Sequence, residues 1–247
     1  MASDNWQERT ELLLGKEKLE ILEKSHVLVA GLGGVGGQAA EVLCRAGVGS
    51  LTIIDADSFH PSNRNRQTGA FISTENIPKT QVFEKRLRDI NPAIRLTVIN
   101  EFIAGDRVEE IAKMPVDYIL DAIDSLAPKI YLIYHSLKNN KKLISSMGAG
   151  GKTDPGLIEI TDFSKTHNDK LARMLRKRLH KLGVYSGFDV VFSPEKTSKD
   201  SLKYIDNEQN KKTTVGTISY MPMMFGAFMA AHVIRELTGL NNKETEK

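Results

Sequence analysis

Two rhythms of apolar residues alternate along the chain. Short unbroken runs such as His26-Val-Leu-Val-Ala30 predict strands, and longer stretches with apolar residues at helical spacing predict helices. Residues 7–24 predict a single N-terminal helix, charged on one side, with Leu12, Leu13, Leu19 and Leu22 as its apolar contacts. The strand at 26–30 runs straight into Gly31-Leu-Gly-Gly-Val-Gly36, and 38–45 predicts a helix stopped by Gly47. A strand at 50–55 follows, then a helix at 79–90 closed by Asn91-Pro92, a strand at 95–103, a helix at 106–113, a strand at 117–121, a helix at 128–139 and a strand at 142–146. Strands that alternate with helices need crossover connections, so the sheet is parallel and covered on both faces. The fold class expected is α/β, a doubly wound, Rossmann-like, mostly parallel sheet.

After Gly148-Ala-Gly-Gly151 the rhythm changes. Antiparallel strands are expected at 157–161 and 189–192, around a basic helical segment at 170–182, and form a C-terminal antiparallel extension. The polar stretch 193–214 predicts a long loop, of a length that is usually functional or disordered. The most apolar region, 218–234, holds Pro222, Gly226 and His232 and falls short of the ~20 residues that span a bilayer. It predicts a buried core or dimer helix, with no membrane segment. No internal repeat divides the chain.

Composition adds little beyond an ordinary globular class. Hydrophobic residues make up 40% and charged residues 26%, which argues against a disordered or fibrous chain. The net charge of +3 with a pI near 8.8 does not identify a partner. Cys44 is the single cysteine, so an intrachain disulfide and a cysteine metal cluster are excluded. One cysteine suits a reducing cytoplasm, the expected location, and the polar opening MASDNWQERT lacks the apolar stretch of a secretory signal.

The chemistry begins at the glycine turn. Gly31, Gly33, Gly34 and Gly36 lie between a strand and a helix, where glycine lets the backbone approach a phosphate and the helix N-terminus attracts the anion. Asp55, 19 positions after Gly36 at the end of the next strand, is placed to bind ribose hydroxyls. To this point a nicotinamide or flavin site and a structural glycine turn both remain open. Asp57, Asn65, Arg66, Gln67, Lys79, Asp121, Asp124 and Ser125 change the balance. Nucleotidyl transfer needs cations against charge developing at phosphorus, which hydride transfer does not, and a carboxylate for Mg²⁺. Arg66 and Lys79 supply the cations and Asp124 the metal carboxylate. Taken singly, each has an ordinary reading: a solvated charge for Arg66 and Lys79, a helix cap for Asp121 and Asp124. Their shared placement, at the C-terminal ends of successive strands or in the loops that follow, makes them a site.

Gly31-x-Gly33-Gly34-x-Gly36, Asp55-Ala-Asp57, Asn63-Arg-Asn65-Arg66-Gln67, Lys79 and Asp121-Ala-Ile-Asp124 together resemble the adenylating domain shared by ubiquitin-activating enzymes and the bacterial activators of thiamin and molybdopterin synthesis. The resemblance covers nearly the whole chain. It implies one domain over 1–247, with a nucleotide-binding half at 1–150 and a substrate-facing, dimerising half at 151–247. It also implies an ATP-dependent, carboxylate-adenylating enzyme in which Asp55 holds ribose, Asn65, Arg66 and Lys79 contact the triphosphate, and Asp124 holds Mg²⁺. Gln67 would support the arginine loop, and Arg9 would reach the ATP of a neighbouring subunit in a homodimer.

Members of that superfamily that pass a carrier protein onward commonly carry paired Cys-x-x-Cys zinc motifs and often a catalytic cysteine in the second half. Cys44, in the first helix after the glycine turn, suits packing instead. Arg88-Asp-Ile-Asn-Pro92, Asp121-Ala-Ile-Asp-Ser125, Ser146-Met-Gly-Ala-Gly-Gly-Lys-Thr-Asp-Pro155 and Lys212-Thr-Thr-Val-Gly-Thr217 look like the tRNA threonylcarbamoyladenosine dehydratases, which use ATP to close the threonylcarbamoyl side chain on adenosine into a ring. That likeness implies tRNA as substrate. A sulfur-transfer protein is a candidate partner, and the loop from Gly148 to Gly151 a candidate site for a monovalent cation. Between Lys165 and Lys181, seven lysines and arginines stand against one acid, Asp169, beside an apolar stripe of Leu171, Met174, Leu175, Leu179 and Leu182. Arg173, Arg176, Lys177 and Lys181 are expected on RNA phosphates, where the bland alternative is a solvated helix face. Competing functions are activation of the C-terminal glycine of a ubiquitin-like sulfur carrier, a non-catalytic nucleotide scaffold and a nicotinamide oxidoreductase.

Overall fold

A central sheet of seven strands with helices on both faces organises the chain, in a computed structural model that describes residues 5–204 and 213–240. The strands are β1 (His26–Ala30), β2 (Ser50–Ile54), β3 (Arg95–Ile99), β4 (Tyr118–Asp121), β5 (Leu143–Ser146), β6 (Glu159–Asp162) and β7 (Asp189–Phe192). The helices are α1 (Glu8–Leu14), α2 (Lys16–Lys24), α3 (Gly36–Arg45), α4 (Lys79–Ile90), α5 (Asp106–Ala112), α6 (Leu126–Lys138), α7 (Lys170–Leu179) and α8 (Tyr220–Leu237). The sheet runs in the order β3-β2-β1-β4-β5-β7-β6, parallel throughout except for β6, which pairs antiparallel with β7. The chain lays down β1, β2 and β3 in one direction, then returns to place β4 on the other side of β1. That reversal opens a crevice beyond the C-terminal ends of β1 and β4, the place where open α/β sheets bind ligands.

The inner strands are buried on both faces because both faces are covered. In β1, Val27 and Val29 join one core while Leu28 and Ala30 join the other. Leu120 and Ile119 divide the same way in β4, as do Val191 and Val190 in β7. The first core packs under α3, α4 and α8, the second under α5, α6 and α7. Helix α8 buries Met221, Phe225, Met229 and Val233 at helical spacing. Its Gly226 lets it close on the start of α3, since a Cβ there would sit 2.2 Å from the Val35 carbonyl.

The expected doubly wound fold with its antiparallel extension is the fold observed, and four local expectations change. The N-terminal helix is two helices, broken at Gly15 with φ +82°, and Leu12 and Leu13 are 80% and 83% exposed, so only Leu19 and Leu22 face the core. The strand expected from 157 begins at Glu159, because Pro155 and the Asp154 cap turn the preceding residues into a 3-10 helix. Asp189–Phe192 is antiparallel only to β6 and continues the parallel sheet beside β5. Within the polar stretch 193–214, β8 (Leu202–Tyr204) and β9 (Thr213–Val215) form a two-stranded hairpin, with 205–212 outside the described residues. The apolar helix 218–234 packs as a core helix, and no helix among the described residues is long and apolar enough to cross a membrane.

Candidate active site

The turn after β1 is set by backbone meeting backbone. Gly31 has φ +89°, and a Cβ on Gly36 would lie 1.8 Å from the Gly31 carbonyl, so the strand enters α3 only through glycine. Beside this turn stands Asp55, just past β2. One of its oxygens accepts from the Leu32 N–H at 2.6 Å and the other from the Asp57 N–H at 2.8 Å, which fixes the carboxylate against the turn. Burial raises its pKa above the ordinary aspartate range, opposed by nearby Lys79 and the two N–H donors. Lys79, in the first turn of α4, is buried, with Nζ 2.9 Å from Asp57 Oδ2 and 3.8 Å from Asp55 Oδ1. Asp57 is exposed, so this cluster holds a buried cation with one face toward solvent.

The arginine loop packs against the same turn, where a Cβ on Gly34 would lie 3.0 Å from the Arg66 carbonyl. Arg66 folds back on its own loop, donating from Nη1 to Ser62 O at 2.9 Å and to Asn65 Oδ1 at 2.8 Å. The Asn65 amide donates to Thr217 O at 3.0 Å, which fastens this loop to the segment between β9 and α8. Gln67 is buried, and its Oε1 has no hydrogen-bond partner. Its Nε2 lies 3.9 Å from where a Gly33 Cβ would stand. An orphaned buried acceptor beside the turn costs about 1–3 kcal/mol until it is paired.

At the end of β4 the two aspartates separate. Asp121 is fully buried and paired with Lys129 of α6 at 2.8 Å, and it accepts from Ser145 Oγ at 2.7 Å and the Ile123 N–H at 3.1 Å. It therefore underpins the turn from within the fold, whereas Asp124 is exposed and Ser125, half-buried, begins α6 without a side-chain cap. The structure thus brings Gly31–Gly36, Asp55, Asp57, Lys79 and the Asn65–Gln67 loop to one crevice, with Asp124 and Ser125 at the end of the neighbouring strand.

Several functional groups were not visible as such in the sequence. Lys129 carried a signal: with Leu126, Ile130 and Ile133 it falls at the spacing of a buried helix face, and a lysine in that slot implies an internal partner. Lys152, 2% exposed, carried none; its ammonium reaches the carbonyls of Ser193, at 3.0 Å, and Glu195. The Glu195 carboxylate in turn accepts from Thr153 N and Oγ1, both at 2.8 Å, and from Asp154 N at 2.9 Å.

Cys44 is buried in α3, and burial pushes its thiol up to about 11, which leaves it without nucleophilic character at neutral pH. The basic helix is divided. Arg173, Lys177, Arg178 and Lys181 are exposed, but Arg176 donates to Thr166 O at 2.7 Å and lies over the Phe163 ring, so it braces the fold and is removed from the set expected on RNA. The apolar stripe holds at Leu175 and Leu179, while Met174 and Leu182 are exposed.

The family model described as ThiF family matches residues 7–247. The tRNA threonylcarbamoyladenosine dehydratase of Bacillus subtilis is 39% identical over 93% of this chain and 93% of its own length. That of Escherichia coli is 40% identical over 78% of this chain and 76% of its own. The crystal structure of the E. coli tRNA N6-threonylcarbamoyladenosine dehydratase in complex with ATP superposes with a TM-score of 0.87 at 34% identity, covering 99% of each chain. A match to the family model across nearly every residue, on a fold whose glycine turn, aspartate, lysine and arginine loop meet in one crevice, leaves one conclusion: the chain belongs to the ThiF family.

Proposed function

We propose that this protein is an ATP-dependent tRNA threonylcarbamoyladenosine dehydratase, which activates the threonylcarbamoyl carboxylate as an acyl adenylate and closes it into a ring. The observation that carries the reading is the likeness over the full chain to dehydratases, one of them solved with ATP, combined with a crevice that has the parts for nucleotidyl transfer. ATP would lie along the 31–36 turn, with ribose on Asp55 and the triphosphate toward Lys79, Asn65 and Arg66. A donor on the nucleotide would pair the orphaned Gln67 acceptor. The guanidinium of Arg66 would leave Ser62 O and Asn65 Oδ1 to meet phosphate.

The substrate carboxylate attacks the α-phosphorus, a new O–P bond forms, and pyrophosphate departs with its charge held by Lys79 and Arg66. A nitrogen of the same side chain then attacks the activated carbonyl and expels AMP, with net loss of one water. Ring closure within one bound substrate gains from proximity and needs no enzyme nucleophile, which agrees with the inert, buried Cys44. Asp121 acts from beneath, holding the strand end with Lys129.

Mg²⁺, when bound, would neutralise phosphate charge. Asp124 is the exposed carboxylate offered to it, and no cluster of three protein ligands exists among the described residues, which suits an ion that takes most of its ligands from phosphate and water. A monovalent cation at the 148–151 loop would sit next to the Lys152 ammonium, which is itself held by the carbonyls of Ser193 and Glu195.

tRNA would lie on the exposed cations of α7 and its continuation: Arg173, Lys177, Arg178 and Lys181. Homodimerisation is supported by the exposed Leu12 and Leu13 of α1 and by an apolar groove lined by Met224, Ala227 and Phe228 of α8. Arg9, exposed on α1, is free to serve a partner's site in that arrangement. The cytoplasm is the compartment that supplies tRNA and ATP together. A sulfur-transfer partner is not required by this chemistry.

The test is incubation with ATP and tRNA bearing threonylcarbamoyladenosine, followed by mass spectrometry of the nucleosides. Loss of one water with stoichiometric AMP and pyrophosphate is expected. Pyrophosphate release only with the C-terminus of a ubiquitin-like carrier would overturn the reading. Lys79→Ala and Arg66→Ala should each lower turnover by an amount equivalent to about 3 kcal/mol or more, because each removes charge aimed at the leaving group.

A further inference from the structure

Hydrogen bonds linked by two short stretches of main chain, 148–151 and 216–217, join the basic helix to the arginine loop. We propose that Asp169 is the positioning residue that couples RNA held on α7 to ATP held at the 31–36 turn, an inference that rests on the function proposed above.

Asp169 caps α7, its Oδ1 accepting from the Ala172 N–H at 2.7 Å. A cap needs only one oxygen and ordinarily sits in solvent. Here the residue is 7% exposed, and Oδ2 accepts a second N–H, that of Gly148, at 3.1 Å. One carboxylate therefore holds both the first turn of the basic helix and the loop after β5. Burial raises its pKa, and the helix N–H donors, Lys152 and the Gly148 N–H oppose that shift, so the charge is kept inside by the groups it organises.

From the same loop the path continues toward the nucleotide. The Gly151 N–H donates to Gly216 O at 2.8 Å. Its neighbour Thr217 accepts from the Asn65 amide at 3.0 Å, and Asn65 Oδ1 receives Arg66 Nη1 at 2.8 Å. Lys152 and Glu195 lock the far end of the loop, through Ser193 O on one side and the Thr153 and Asp154 N–H groups on the other. A simple helix cap would account for the bond to Ala172 but not for the bond to Gly148 or for the burial. A shift of α7 on binding RNA therefore moves the loop that braces Arg66, and movement of Arg66 onto phosphate relaxes the same loop. Coupling of this kind is reciprocal.

Asp169→Ser separates the two roles. Serine is a good helix cap and can still accept from Ala172, but it is too short to reach Gly148. Asp169→Asn keeps the size and places an N–H donor against one of the two N–H groups, so it provides a second variant should the serine form fold poorly. Affinity for an ATP analogue with a non-cleavable α,β-bridge is measured by calorimetry with and without substrate tRNA. In the parent, tRNA should tighten the analogue about five-fold or more, within the usual range of coupling between sites. In both variants that factor should fall to about one, while each ligand alone binds as in the parent and the Gly148 amide loses its protection from hydrogen exchange. Retention of the parent's factor in either folded variant, or its absence in the parent, overturns the proposal. Failure of the parent to bind tRNA at all would instead remove the functional reading beneath it.

Discussion

Two glycine-rich loops leave the same end of the sheet, one after β1 and one after β5, and they are held by different means. At the first, the approach is backbone to backbone: a Cβ on Gly36 would lie 1.8 Å from the Gly31 carbonyl. At the second, a Cβ on Gly148 would lie 3.2 Å from a carboxylate oxygen of Asp169, a side-chain atom and not main chain. Beneath each lies a buried lysine. Lys129 is paired with the Asp121 carboxylate at 2.8 Å, while Lys152 rests on the carbonyls of Ser193 and Glu195. The first loop is rigid by construction, which suits the ATP receptor proposed for it. The second takes its shape from distant segments, which suits a part that responds to what those segments bind.

The lysines give the largest contrast. Lys129→Met removes the countercharge of a fully buried aspartate, a change that commonly costs about 3–5 kcal/mol. Lys152→Met leaves carbonyl acceptors unpaired without stranding a directly bonded carboxylate, for which about 1–3 kcal/mol is expected. Chemical denaturation of the two variants measures the difference. Equal losses would show that Asp169 depends on Lys152 as closely as Asp121 depends on Lys129, and the contrast between the loops would be gone.

Alanine at the glycines sharpens the same point at smaller size. Gly36→Ala cannot be accommodated by a side-chain adjustment, because the obstructing atom is a main-chain oxygen of the turn itself. Its cost should reach or exceed the ~1–3 kcal/mol typical of overpacking, with loss of ATP binding. Gly148→Ala asks the Asp169 carboxylate to move by a few tenths of an ångström, so the fold and ATP binding should survive. Thermal unfolding and a nucleotide titration on both variants decide it, and an unfolded Gly148→Ala would count against the flexible reading of the second loop.

The same contrast explains what could be read from the sequence. The first loop's constraints are local: the glycines clash with their own neighbours, Asp55 follows at the end of the adjacent strand, and Lys79 opens the next helix, so order along the chain carried the site. Asp121 could be located but not assigned its role, because Lys129, its partner, had to be recognised as a charge in a core-facing helical slot. At the second loop the partners are remote. Asp169 stood out only as the lone acid in a basic run, and nothing near it names Gly148, 21 residues earlier. Glu195 lay in a stretch expected to be loop, whose carboxylate engages residues 41 and 42 positions away. An isolated glycine is tolerated inside a helical pattern, so Gly15 does not mark a break in the sequence, although its φ of +82° ends α1 there.

Acidity gives the finest separation, between Asp55 at the first loop and Glu195 at the far end of the second, because these two carboxylates are shifted in opposite directions, whereas Asp169 at the near end is raised by burial as Asp55 is. Burial raises Asp55 despite Lys79 and its N–H donors, so it takes up a proton above the ordinary aspartate value of about 3.9. For Glu195 burial acts the same way but is outweighed by the N–H donors of Asp154 and Thr153, so it protonates below the ordinary glutamate value of about 4.3. The signs for stability are opposite as well. Ionised Asp55 costs stability at pH above its raised folded value, and the cost is relieved as pH falls through that value. Glu195 contributes stability that is fully present above its unfolded value and is lost as pH falls through its depressed folded value. On acidification the nucleotide crevice should therefore change before the Glu195 contacts do: protonated Asp55 can no longer accept fully from ribose, Leu32 and Asp57, and nucleotide affinity falls while the Glu195 end of the second loop stays closed. Calorimetric titration of the ATP analogue across the acid range, set against Asp55→Asn to remove the titration of the phosphates themselves, follows the first event. Hydrogen exchange at the Thr153 and Asp154 amides follows the second. Loss of protection at those amides at a higher pH than the Asp55-dependent fall in affinity would reverse the order, and would mean that the Glu195 end of the second loop yields to acid before Asp55 does.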